Sequence, residues 1–150
     1  YKLLEAIEKY RLVKKGDVVV DLGAAPGGWV QGCLNTVGEE GLVLAVDIRP
    51  VAPFDASNVI LINGDISKTD TLRAIEEALP SAADAVLSDA SPNLSGVWEV
   101  DHARQVKLAY DALKIARDVL KKGGNFFVKV FEGDLSGSFI REVKNHFEDV

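Results

Sequence analysis

Asp17-Val-Val-Val-Asp-Leu-Gly-Ala-Ala-Pro-Gly-Gly-Trp29 joins an apolar run to a glycine-rich turn and the start of a helix. Val18 to Val20 are β-branched without polar alternation, the pattern of a strand covered on both faces of a parallel sheet. In the turn, Gly23, Gly27 and Gly28 admit positive φ and the close approach of a ligand, and the free N–H groups of the following helix would point at the same place. A dinucleotide fingerprint wants glycine at the first, third and sixth positions of the turn. Gly23, Ala25 and Gly28 stand there, so the middle glycine is missing and a dinucleotide site is disfavoured. Asp47 follows about twenty residues past the turn, where an acid can accept hydrogen bonds from both ribose hydroxyls of an adenosine-type ligand.

Outward from this stretch the chain alternates. Leu3, Ile7 and Tyr10 predict an opening amphipathic helix that ends near Lys15-Gly16. Trp29 to Val37 read as a helix stopped by Gly38, Leu42 to Val46 as strand two, and Val59 to Ile62 as strand three, with Asp65 at its carboxyl end. Leu72, Ile75 and Leu79 mark a helix closed by Pro80, and Ala83 to Leu87 is strand four, running into Ser88-Asp89. The longest helix is expected over His102 to Lys122, strand five over Phe126 to Phe131, and a last helix over Phe139 to Phe147, reaching the end of the chain. Strand alternating with helix implies an α/β, doubly wound, Rossmann-like parallel sheet with right-handed crossovers. Ligands of such sheets lie outside the carboxyl ends of the strands, beside strand one.

A chain of 150 residues suits one domain. With 47% hydrophobic and 27% charged residues it has a globular composition, and no apolar run approaches the ~20 residues of a membrane span, so a cytoplasmic location is expected. The single cysteine, Cys33, falls at helical spacing with Val30, Leu34 and Val37 and reads as core. Two separated histidines, His102 and His146, give no basis for a zinc site and read as a helix-start and a surface residue. A net charge of −6 argues against a nonspecific nucleic-acid binder, although Lys2, Lys9, Arg11, Lys14 and Lys15 make the opening segment basic.

Lys129 asks for chemistry. It stands in an otherwise apolar strand, where an ammonium is costly unless it is paired, its pKa falls or its head snorkels to water. Asp89 closes the adjacent strand and could reach the amine, giving a proton-handling pair beside a nucleoside pocket.

With these residues in place, the chain resembles the FtsJ/RrmJ ribosomal RNA 2′-O-methyltransferases, with an archaeal flavour. The resemblance runs the whole length, through Tyr1-Lys2-Leu3, Asp21-Leu-Gly-Ala-Ala-Pro-Gly-Gly-Trp29, Ser88-Asp89 with Pro92-Asn93, and Val128-Lys129-Val-Phe131. It implies S-adenosyl-L-methionine as cofactor, released as S-adenosyl-L-homocysteine, with no metal required. Of the family's Lys-Asp-Lys-Glu tetrad it places three members on Lys2, Asp89 and Lys129. Cofactor contacts carry over to Gly27, Trp29, Asp47, Asp65 and Asp89, with Gly23 in the turn itself. On this reading Lys129 is the general base, Asp89 its orienting acceptor and Lys2 a modulator that positions substrate. Trp98 is a candidate to stack on an unpaired base.

The resemblance also implies a partner, ribosomal RNA or the large ribosomal subunit, with a uridine ribose of that RNA as target. A transfer RNA or cap ribose, and a catalytically silent module that binds cofactor and RNA in ribosome assembly, are the alternatives. A nicotinamide oxidoreductase is disfavoured by Ala25. The family carries the tetrad's glutamate in a strand beyond Val150, so residues 1–150 are expected to be a single methyltransferase domain, monomeric, cut at both ends and lacking its last strands.

Overall fold

The computed structural model describes residues 2–25 and 28–150, the side chains of Lys2 and Leu3 excepted. Among these, five strands form one parallel sheet in the order β3-β2-β1-β4-β5. They are β1 (Val18–Leu22), β2 (Leu42–Asp47), β3 (Val59–Asn63), β4 (Ala83–Ser88) and β5 (Leu120–Val128). The helices are α1 (Lys2–Tyr10), α2 (Gly28–Val37), α3 (Thr69–Ala78), α4 (Trp98–Val119) and α5 (Ser136–Lys144). No helix of the described residues is long and apolar enough to cross a membrane.

The β-branched run of β1 is central because both of its faces are covered. Val19, Val43, Ala45, Ala85 and Leu87 pack against α1 and α2 through Ile7, Val30, Cys33, Leu34 and Val37. Their alternates Val20, Leu22, Leu44, Val46 and Val86 pack against α3 and α4 through Ile75, Ala112, Ile115, Ala116 and Val119. Each buried aliphatic side chain contributes about 1.5–3 kcal/mol, so this sandwich dominates the stability. Cys33 lies in it as expected, and burial pushes its thiol up to about 12. A third layer forms where Phe139 and Val143 of α5 meet Val106, Ala109 and Leu113 of α4. The chain winds from β1 out to β3, then returns to β4 on the other side of β1. The crevice between β1 and β4 is therefore the topological switch point.

Several boundaries differ from the sequence expectation. α1 stops at Tyr10 rather than near Gly16, because Arg11 adopts a left-handed φ of 51° and the Leu12 N–H returns to the Ile7 carbonyl at 3.1 Å. Leu12 then packs on the core, while Tyr10 is exposed. α4 begins four residues early, at Trp98, and ends at Val119 instead of Lys122. Leu120 is drawn out of the helix by pairing with Ala83, and Lys121 bonds Asp84 at 2.7 Å. β5 thus starts earlier, carries a register shift opposite Ala83 and Ala85, and ends at Val128. Lys129 is consequently one residue past the strand rather than inside it. α5 ends at Lys144, leaving Phe147 to stack on Phe126 from outside the helix.

Candidate active site

The crevice is shaped first by backbone. At the end of β1, Gly23 turns with φ +79°, donating its N–H to the Val46 carbonyl at 2.8 Å. A Cβ on Gly23 would lie 2.7 Å from the backbone of Ala90, so the chain leaving β4 passes directly over this turn. The Asp89 N–H donates to the Leu22 carbonyl at 3.2 Å, which fixes Asp89 at the mouth of the crevice.

Three aspartates converge there. Asp47, at the end of β2, is buried and already bonded, its carboxylate accepting the Ala25 N–H at 2.7 Å and the Arg49 N–H at 2.8 Å, with the Arg49 guanidinium at 3.5 Å. It thus ties the glycine-rich turn to the neighbouring strand while keeping lone pairs for a ligand hydroxyl. Asp21, in β1 beneath the turn, is fully buried, and neither of its oxygens has a hydrogen-bond partner among the described residues. Burial, with the Asp89 and Asp47 charges added, pushes its carboxyl up to about 7. Asp89 has the cation: Lys129 Nζ lies 2.7 Å from its Oδ1 and donates to Ser91 Oγ at 2.9 Å. Lys129 is 40% exposed, so its head reaches the crevice instead of being sealed in the core.

The other expected residues fall as follows. Asp65 lies two residues beyond β3, where it accepts the Ser67 N–H at 2.9 Å and the Ser67 hydroxyl at 2.7 Å, bonds that hold its carboxyl below the usual range. Trp29, at the start of α2, is half-buried against the α1 and α2 core. The Lys2 side chain and Gly27 lie outside the described residues. His146 is exposed as expected and bonds Glu142 at 3.1 Å.

Trp98, a base-stacking candidate by sequence, and His102, expected at a helix start, stack on each other in α4, which begins at Trp98 and so takes His102 inside the helix; Gln105 had no role in the sequence reading. His102 is buried, accepts the Leu135 N–H on Nε2 at 3.1 Å, and stacks on Trp98 with centroids 5.5 Å apart. Gly133 runs so close to that ring that a Cβ would sit 2.7 Å from it. Trp98 is 55% exposed and also stacks on Phe131 at 6.2 Å, whose ring lies 5.8 Å from Lys129 Nζ. Gln105 bonds the backbone on either side of Val130. Its sequence signal was available: a polar residue on the apolar stripe of α4.

An FtsJ-like methyltransferase family model matches residues 1–150. The chain belongs to this family. A ribosomal RNA large subunit methyltransferase E of Methanococcus maripaludis strain C7 is 48% identical over 148 residues, 99% of this chain and 57% of the relative. The chain thus spans little more than half the length of such curated relatives. Among solved structures, a Plasmodium falciparum protein described as a ribosomal RNA methyltransferase superposes with TM-score 0.88 at 26% identity, covering 99% of this chain and 85% of that one. Aeropyrum pernix fibrillarin, solved with S-adenosyl-L-methionine, shares the fold with TM-score 0.70 at 20% identity, covering 96% of this chain and 64% of its own. The doubly wound methyltransferase fold expected from the sequence is thus present.

Proposed function

We propose that this chain catalyses S-adenosyl-L-methionine-dependent 2′-O-methylation of a ribose in RNA, with a uridine of large-subunit ribosomal RNA as target. The observation that carries the reading is the Lys129–Asp89 pair, 2.7 Å apart, at the carboxyl ends of β4 and β5 and beside the glycine-rich turn. The names borne by its archaeal relatives support the choice of ribosomal RNA.

The crevice suits the cofactor. Gly23 leaves no side chain between the turn and the Ala90 backbone, Asp47 and Asp65 offer acceptors at the ends of β2 and β3, and Asp21 is a buried carboxyl beneath the turn. When bound there, S-adenosyl-L-methionine supplies a methyl group on a sulfonium, an electrophile that needs no metal to accept a hydroxyl. A ribose hydroxyl is a weak nucleophile, so the work left to the protein is alignment and proton removal. Asp89 and Ser91 fix the Lys129 amine by two bonds. So held, the amine is the group we assign to receive the 2′-hydroxyl proton as the methyl is transferred. Asp89 keeps the amine aimed, and Lys2 is assigned the positioning of substrate.

Tritiated S-adenosyl-L-methionine incubated with the protein and either ribosomal subunits or naked RNA, followed by mapping of the label, tests the reading. Lys129→Ala is expected to lower methyl transfer by about 10²–10⁴-fold while leaving cofactor affinity, read by calorimetry, unchanged. Wild-type transfer by a variant that binds cofactor normally would overturn it.

A further inference from the structure

We infer that Gln105, on α4, is a positioning residue for the Lys129 amine. The inference rests on Lys129 acting in the reaction proposed above. β4 ends at Ser88, whose carbonyl accepts the Lys129 N–H at 3.0 Å, and the chain then turns away at Asp89 toward Leu22. The backbone after β5 therefore runs past the end of its only strand neighbour within the described residues. An unpaired buried peptide there would be costly, and a strand that loses its ladder partner loses what fixes its direction.

Gln105 takes the missing place. Its Nε2 donates to the Lys129 carbonyl at 2.6 Å and its Oε1 accepts the Phe131 N–H at 2.7 Å. A carboxamide is chemically a peptide group, so it extends the ladder by one step with the same donor and acceptor pattern. The side chain is 0% exposed, which removes water as a competitor for either bond. Three residues earlier on α4, His102 holds the Leu135 N–H in the same manner. The segment from Lys129 to Leu135 is thus fastened to α4 at both ends. Because the Lys129 carbonyl and amide are both fixed, its Cα is fixed, and the amine meets Asp89 and Ser91 rather than sweeping through the crevice mouth.

Gln105 touches neither Asp89 nor the amine, so its effect must pass through the Lys129 backbone. Gln105→Met keeps side-chain length and apolar packing but removes both bonds. It is expected to lower kcat for methyl transfer at least tenfold while the KM for S-adenosyl-L-methionine stays within about twofold. Gln105→Glu retains the acceptor for Phe131 but opposes a carboxylate to the Lys129 carbonyl, and is expected to fall in the same direction. A second readout is independent of any RNA substrate. With lysines reductively ¹³C-methylated, the Lys129 resonance should shift on Asp89→Asn in the wild-type background, and this response should vanish in Gln105→Met. Retention of the response, kcat within twofold of wild type, or equal losses in kcat and cofactor affinity would overturn the inference. Absence of methyl transfer from the wild-type protein to any RNA, with the resonance response behaving as expected, would instead remove the proposed function and leave the positioning role standing.

Discussion

Asp21 shows how far a single residue's chemistry follows from where the strand places it. Its carboxyl rises from 3.8 to about 7, first through burial and then through the charges of Asp89 and Asp47. Lys129 and Arg49 are paired to those two neighbours and not to Asp21. The folded state therefore holds a proton that the unfolded chain releases near pH 4. Stability contributed by this group is complete at pH 4 and below, falls as pH rises toward 7, and is flat beyond, a loss on the order of 4 kcal/mol. Asp21→Asn is expected to abolish that slope, raising Tm at pH 8 and changing it little at pH 4.5. Asp65, Asp84 and Asp101 are held below the usual range, so they contribute a loss of stability at still lower pH that both proteins keep. Parallel Tm curves for the two proteins between pH 4.5 and 8.5 would count against a protonated Asp21. In the sequence Asp21 is only the acid of an apolar run, and its proton depends on complete burial first and then on two aspartates 26 and 68 positions away. Lys129 and Asp89 were legible because an ammonium among apolar residues demands a partner, and the neighbouring strand ended in one.

At the scale of elements, the inner strands were legible because both faces are buried and their apolar runs stand between turn residues. The boundary between α4 and β5 was not. Leu120-Lys-Lys-Gly-Gly-Asn125 has the composition of a helix end followed by a loop, and only the pairing of Leu120 with Ala83 and the Lys121–Asp84 bond make it an edge strand. At the other end of β5, β4 stops at Ser88 opposite Val128, which leaves Lys129 off the strand, where the Gln105 amide takes over the pairing. The junction of β1 and β4 is the more sensitive one. Gly23→Ala places a methyl 2.7 Å from the Ala90 backbone at a φ that L residues avoid, so either the turn or the segment after β4 must move. A destabilisation of about 2–4 kcal/mol is expected, read as a lower urea midpoint with unchanged m. Cofactor affinity should fall with it, since Asp89 hangs from the same crossing. A midpoint within experimental error of wild type would mean that the two segments part without cost.

Across the whole molecule the sheet separates charge by direction. Its carboxyl rim gathers Asp21, Asp47 and Asp89, whereas Lys14 and Lys15 lie just before β1, at the opposite edge, where Lys14 and Lys121 are near Asp84 and Asp84 accepts the Val18 N–H at 2.7 Å. The five residues of β1 put about 17 Å between that edge and the turn. Read from sequence alone, the opening segment was only the most basic part of an acidic chain. In the fold, Lys14 lies near Asp84, the carboxylate that ties the starts of β1 and β4, a placement that periodicity and charge counts do not carry. If RNA reaches the rim alone, replacing Lys14 and Lys15 by Gln should leave the slope of log Kd against log salt unchanged and kcat/KM within about twofold. Each lysine that meets a phosphate would instead reduce that slope by about one. A reduction of that size would place the RNA around the amino edge as well, and the substrate path would have to wrap the sheet rather than enter from its carboxyl side.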